Sequence, residues 1–172
     1  MPTFLHTAPP TTVLPDSVLD SIDPGGRPPR VVIDTAVVFS ALVFGGEAAR
    51  RLRRAWRHGF CRPLLGRQTL LDLTCALGDT RFGFTRDEQQ RMLAEYLPYV
   101  LRVRVPEAAT SGEADPAPLA FVQLAMAGRA HLMVSSDETL LRHGTRLPFP
   151  VVAQQPFLEL LRSLPITPQP LR

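Results

Sequence analysis

Short apolar runs alternating with amphipathic segments are the feature that most constrains this chain. VVID (31–34), CRPLL (61–65), YVLRVRV (99–105), HLMVS (131–135) and VVA (151–153) are separated by stretches with helical spacing. Neighbouring parallel strands need crossover connections, usually helices, so the alternation predicts a parallel sheet covered on both faces. The expected fold class is α/β, a three-layer α/β/α sandwich with a central parallel sheet. In such sheets ligands sit beyond the carboxyl ends of the strands. Two of the runs lead into an acid there: Asp34 closes VVID, and Asp137 follows HLMVSS.

The intervening segments carry their own signals. In GEAARRLRRAWRHG, Ala48, Ala49, Leu52, Ala55 and Trp56 recur at helical spacing, while Arg50, Arg53, Arg54 and Arg57 fall largely on other faces. Gly59 ends that helix. RQTLLDLTCAL (67–77) reads as a helix and DTRFGF as a loop. Thr85 stands three residues before Glu88, the spacing of a capping box, and starts another helix. Leu119 to Ala127 is a helix apolar almost all round, and PFLELL closes the domain. For the residues after VVID, periodicity does not decide between helix and strand, because β-branched side chains recur there.

Residues 1–29 carry APP, LPD, DPGG and RPP, and 165–172 read PITPQPLR. That density of proline and glycine suits neither helix nor strand interiors. The expected organisation is an N-terminal tail over 1–29, one domain over 30–164 and a C-terminal tail over 165–172. No apolar run approaches the ~18 residues of a membrane span. The start MPTFLHTAPP lacks the charged and apolar regions of a secretory signal, so a cytoplasmic location is expected. Cys61 and Cys75 form no metal motif or disulfide framework and are expected to act as small buried hydrophobes. His6, His58, His131 and His143 show no ligand spacing. All 19 basic residues are arginine. The planar guanidinium suits phosphate, but coding bias yields the same composition, so charge alone leaves the partner open.

Taken together, VVIDTAVVFSAL, LLDLTCALGDTRF, ADPAPLAFVQLAMAGRAHLMVSSDETLL and QQPFLELL resemble the four successive blocks of a PIN domain. The likeness is to the branch assigned as toxin components of bacterial toxin–antitoxin pairs, and it covers about 30–160. It implies a Mg2+- or Mn2+-dependent ribonuclease that gathers acidic side chains at one edge of a parallel sheet. The catalytic acids it implies are Asp34, Asp72 and Asp137. Asp34 and Asp137 would ligate the metal, with Asp72 and Asp115 as further candidate ligands. Thr35 and Ser135 would support the acids. The implied partners are RNA, a cognate antitoxin and a second copy of the chain, with no membrane. Three positions depart from the family pattern. Ala36 replaces the asparagine of the usual DTN, Asp72 stands where glutamate is more frequent, and Leu119 replaces an aspartate two residues before Phe121.

The chemistry accounts for such a cluster. Magnesium takes six oxygens at about 2.1 Å and keeps several waters, so one or two carboxylates suffice. Converging carboxylates repel and raise one another's pKa, which makes their proximity most sensible around a cation. Each residue also has an ordinary role. Asp34 before TAVVFSAL and Asp137 before ETLL are natural helix N-caps. Asp72 on an apolar helix face is costly unless it is paired or faces solvent. Arg50, Arg53, Arg54 and Arg57 suit salt-sensitive contact with RNA phosphates, or simply a solvated helix face. Trp56 and Phe60 are expected to pack against the sheet or a second subunit.

Two functions stand at this point. One is a metal-dependent ribonuclease toxin, favoured by the retention of Asp34, Asp72 and Asp137. The other is a catalytically weak or inactive PIN module that binds an antitoxin or RNA without cleavage, favoured by the lost acid at Leu119. A phosphoacceptor receiver-like domain also uses strand-end aspartates, but it expects a late lysine and this chain has none.

Overall fold

The computed structural model describes residues 26–106 and 116–169. Five strands form one parallel sheet: β1 Arg30–Ile33, β2 Arg62–Leu65, β3 Leu101–Arg102, β4 Leu132–Val134 and β5 Val151–Val152. Their order is β3-β2-β1-β4-β5. The helices among the described residues are α1 Thr35–Val43, α2 Glu47–Arg57, α3 Arg67–Leu77, α4 Arg86–Ala94, α5 Pro116–Ala127, α6 Glu138–His143 and α7 Gln154–Ser163.

The layers follow from the two-residue period of the strands. Val31 and Ile33 of β1, with Leu65, Leu132 and Val134, point to one face and pack with Val37, Leu52, Trp56, Leu73 and Phe157 from α1, α2, α3 and α7. Val32, Leu64 and Met133 point to the other and meet Phe121 and Leu124 of α5. Both faces are covered, so β1 reads as a continuous apolar run rather than an alternating one. The chain steps outward from β1 to β2 and β3, then returns to place β4 on β1's other side. β1 and β4 therefore flank the point where the winding reverses, and Val31, Val32 and Ile33 pair in register with Leu132, Met133 and Val134.

The three-layer α/β/α expectation holds, with local differences. Residues 35–43 are helical, despite their β-branched side chains, because the helix buries Val37, Val38, Phe39, Ala41 and Leu42. The capping box forms: Thr85 Oγ1 accepts from Glu88 N at 3.3 Å, and Glu88 Oε2 accepts from Thr85 N at 2.8 Å. The strand expected over 99–105 is shorter. Leu97–Tyr99 forms a 3-10 turn with proline at its start, and only Leu101 and Arg102 pair with β2. Cys61 is buried as expected, and burial pushes its thiol up to about 12, keeping it protonated and unreactive. Cys75 is exposed, contrary to expectation. The buried stripe of α3 is Thr69, Leu73 and Leu77, one turn apart, and Cys75 lies about 200° round the helix from Leu73. Trp56 is buried edge-on against Tyr96, whereas Phe60 is 37% exposed, so the sheet does not cover it.

Past α7 the chain folds back. Thr167 N donates to Gly26 O at 2.9 Å and Gln169 N to Gly59 O at 3.0 Å, tying residues 167–169 near the amino ends of the strands. No helix among the described residues is long and apolar enough to cross a membrane.

Candidate active site

Asp34 leaves β1 with its backbone still on the sheet ladder, Asp34 N donating to Val134 O at 2.9 Å. Its extended conformation turns the chain into α1, and Oδ1 accepts from Val37 N at 2.8 Å as an N-cap. The other oxygen serves a different element. Oδ2 accepts from Ser135 Oγ at 2.5 Å and from Ser136 N at 2.9 Å. The residue is only 6% exposed, and three donors on one carboxylate make that burial tolerable.

Ser135 is wholly buried and has a second duty: its Oγ accepts from Asp137 N at 3.0 Å. Asp137 caps α6, with Oδ1 accepting from Leu140 N at 2.9 Å, and it is exposed. Its Oδ2 makes no hydrogen bond among the described residues. A continuous line therefore runs from the Asp137 amide through the Ser135 hydroxyl to the Asp34 carboxylate. Both acids are N-caps through one oxygen, and the other oxygen of Asp34 accepts from Ser135 and Ser136. Replacing Ser135 by alanine should strip Asp34 of a donor and the Asp137 amide of its acceptor, lowering stability by about 2 kcal/mol in urea unfolding. An unchanged midpoint and slope would show that the line contributes nothing.

The remaining acids sit differently. Asp72 on α3 is half-buried, and its Oδ1 accepts from Gln68 Nε2 at 2.9 Å, one turn earlier. No hydrogen bond joins it to Asp34 or Asp137 among the described residues. Asp115 lies outside the described residues. Leu119, in the first turns of α5, is half-buried. Among the described residues, no group of three or more histidine, cysteine, aspartate or glutamate side chains is placed to hold a metal ion. Ser135 joins the Asp34 carboxylate to the backbone amide of Asp137, and no hydrogen bond joins the two carboxylates among the described residues. A water-rich magnesium site takes only one or two carboxylates directly. Thr35 opens α1 and is half-buried, but the hydroxyl on Asp34 is that of Ser135.

The arginine helix divides by position. Arg50, Arg54 and Arg57 are exposed, and their four- and three-residue spacings set them along one stripe of α2. Arg53 points elsewhere: its Nη1 donates to Ala41 O at 2.6 Å, satisfying one of the carbonyls that the last turn of α1 leaves without a helical partner. The sequence reading missed that role, and also the Ser136 amide on Asp34 and Gln68 beside Asp72. Only the last had a signal in the chain, its four-residue helical spacing.

Residues 30–139 match a protein family described as the PIN domain. No curated protein matches the chain. Among solved structures, the chain is similar to VapBC2 from Rickettsia felis, bound to a DNA fragment from its promoter. The TM-score is 0.53 and the identity 12%, over 72% of this chain and 98% of that one. It is also similar to a PilT N-terminus domain protein from the archaeon Sulfolobus solfataricus P2, with a TM-score of 0.49 and 10% identity over 78% and 94% of the two chains. A protein from Pyrobaculum aerophilum gives a TM-score of 0.46 and 13% identity over 78% and 90%.

Proposed function

The chain belongs to the PIN-domain family, and from that premise we propose that it is a metal-dependent ribonuclease acting as the toxin component of a toxin–antitoxin pair. The observation that carries this reading is the buried Asp34 carboxylate at the point where the winding reverses, linked through Ser135 to Asp137. Asp34 and Asp137 would hold Mg2+ or Mn2+, with Asp72 and Asp115 as further contributors from the second and third blocks. When bound, such a cation supplies an activated water and stabilises charge on the leaving oxygen of the phosphodiester.

The chain's own residues do the positioning. Ser135 Oγ and Ser136 N hold one oxygen of Asp34 while Val37 N holds the other, so the carboxylate is fixed before any ligand arrives. Asp137 offers the accessible oxygen of the pair. Arg50, Arg54 and Arg57 would meet RNA phosphates, with Arg53 supporting α1 behind them. The proposed partners are RNA, a cognate antitoxin protein and a second copy of the chain, in the cytoplasm. The Rickettsia felis neighbour, a VapBC protein on promoter DNA, supports the antitoxin partner. The unit carrying this activity is proposed to be 30–164.

A second reading has a specific observation behind it. Asp34 already accepts three hydrogen bonds, and no group of three acids forms among the described residues, which favours a binding module without cleavage. The full chain incubated with single-stranded RNA should cut it in Mn2+ or Mg2+ and stop on chelation. RNA retained but uncut in either metal selects the binding module, and neither binding nor cutting overturns both readings. In the same binding assay, changing Arg50, Arg54 and Arg57 to alanine should flatten the slope of log affinity against log salt by about 2. An unchanged slope would assign the stripe to solvent or to a protein partner.

A further inference from the structure

The opposite, amino edge of the sheet carries a second concentration of charge. Arg30 opens β1 and Arg62 opens β2, and the two are direct partners in the strand register. Adjacent strands lie about 4.8 Å apart, and like charges directly opposite one another are destabilising. Both line one pocket of about 350 Å³, together with Arg27, His131, Leu101 and Gln169. Among the described residues, no aspartate or glutamate lines it.

Among the described residues, the hydrogen bonds of Arg30 and Arg62 there go to neutral acceptors. Arg30 Nε donates to the carbonyls of Gly128 at 3.2 Å and Arg129 at 3.0 Å, which leaves both its Nη groups without a hydrogen bond among the described residues. Arg62 Nη2 donates to Gln169 Oε1 at 2.9 Å, a neutral acceptor. Arg62 Nε is buried with no hydrogen-bond partner among the described residues. Buried donors are almost always paired, so one left open in a pocket calls for an acceptor from outside the described residues. His131 also lines this edge, where its Nδ1 accepts from Arg30 N at 2.9 Å.

We propose that this pocket binds a phosphate group, held by the guanidinium of Arg62 and the Nη groups of Arg30. Guanidinium presents a rigid fork of donors that matches phosphate oxygens two at a time, and an anion between Arg30 and Arg62 removes their mutual repulsion. The pocket's size suits a single phosphoryl group with its waters rather than a polymer segment. The group belongs either to the free ion or to the end of a nucleic acid strand. The chain contains competitors outside the described residues: Asp16, Asp20 and Asp23 in 1–25, and Glu107, Glu113 and Asp115 in 107–115.

The test titrates the full chain with inorganic phosphate at constant ionic strength, read by calorimetry and by the melting temperature. Saturable binding that raises the melting temperature is expected, with Arg62→Gln and Arg30→Gln each weakening it about tenfold or more. Should Arg62→Gln fail to fold, the Arg30→Gln comparison decides alone. An oligonucleotide with a 5′-phosphate that competes where its 5′-hydroxyl twin does not assigns the group to a strand end. Equal failure of both to compete assigns it to the free ion. Phosphate stabilisation equal in wild type and variants overturns the site. No phosphate binding to the full chain also overturns it, leaving the pocket to the chain's own carboxylates.

Discussion

Asp34→Asn should abolish RNA cleavage and also lower stability by about 2–4 kcal/mol, because it changes both the charge and the hydrogen-bond sense of a buried group. The carboxylate accepts on both sides, from Val37 N on Oδ1 and from Ser135 Oγ and Ser136 N on Oδ2. An asparagine amide offers one oxygen and one NH2 group. Whichever way it turns, the NH2 confronts a backbone N–H that cannot reverse. The Ser135 hydroxyl can rotate to accept, but the amides of Val37 and Ser136 cannot. Urea unfolding gives the stability, and the nuclease assay is run below the variant's melting range so that the two losses separate. A variant as stable as wild type would remove the buried charge from the folding energetics, and wild-type cleavage would remove Asp34 from the chemistry.

Trp56→Ala is expected to cost about 3–5 kcal/mol while sparing the surface that would meet RNA. The indole is 1% exposed, meets Tyr96 edge-on with ring centroids 5.0 Å apart, and donates from Nε1 to Glu95 O at 3.2 Å. It joins α2 to the segment between α4 and β3. Truncation leaves a cavity and an unpaired carbonyl together. Arg50, Arg54 and Arg57 lie on the exposed side of the same helix, so RNA affinity measured well below the variant's melting range should stay near that of wild type. A loss of stability below about 1 kcal/mol would mean that the site collapses around the missing ring. A large loss of affinity in a folded variant would show that α2 depends on Trp56 for its orientation.

The strand-end acids were legible because two independent signals coincide at each: an apolar run that must be buried, and a capping residue where it ends. Asp34 and Asp137 needed no tertiary information to stand out. Their junction did, because the register that sets Ile33 beside Val134 decides that Ser135, rather than the adjacent Thr35, reaches the carboxylate. Arg53 illustrates the same limit. Its spacing groups it with the exposed arginines, but the approach of α1 to α2 gives its guanidinium a carbonyl to satisfy. Cys75 was misread for a simpler reason: one apolar-leaning residue on a helix says little until the buried stripe is located. The two-residue β3 was also hidden, since an alternating pattern marks a half-buried extended chain whether or not it pairs along its whole length.

The strand order has a consequence for synthesis. β1 is made first, yet the neighbour at its acidic end is β4, and Ser135 meets Asp34 across a sequence separation of 101. A nascent polypeptide therefore carries β1 with one edge unpaired while β2 and β3 are added on the other side. Such long-range pairings form slowly, and domains fold as units once their strands are available. A product released early, before Leu132, holds Asp34 but none of the donors that fix its Oδ2, and it lacks Asp137 altogether. Premature termination or proteolysis of the growing chain thus leaves a fragment in which the line from Asp34 through Ser135 to the Asp137 amide cannot form.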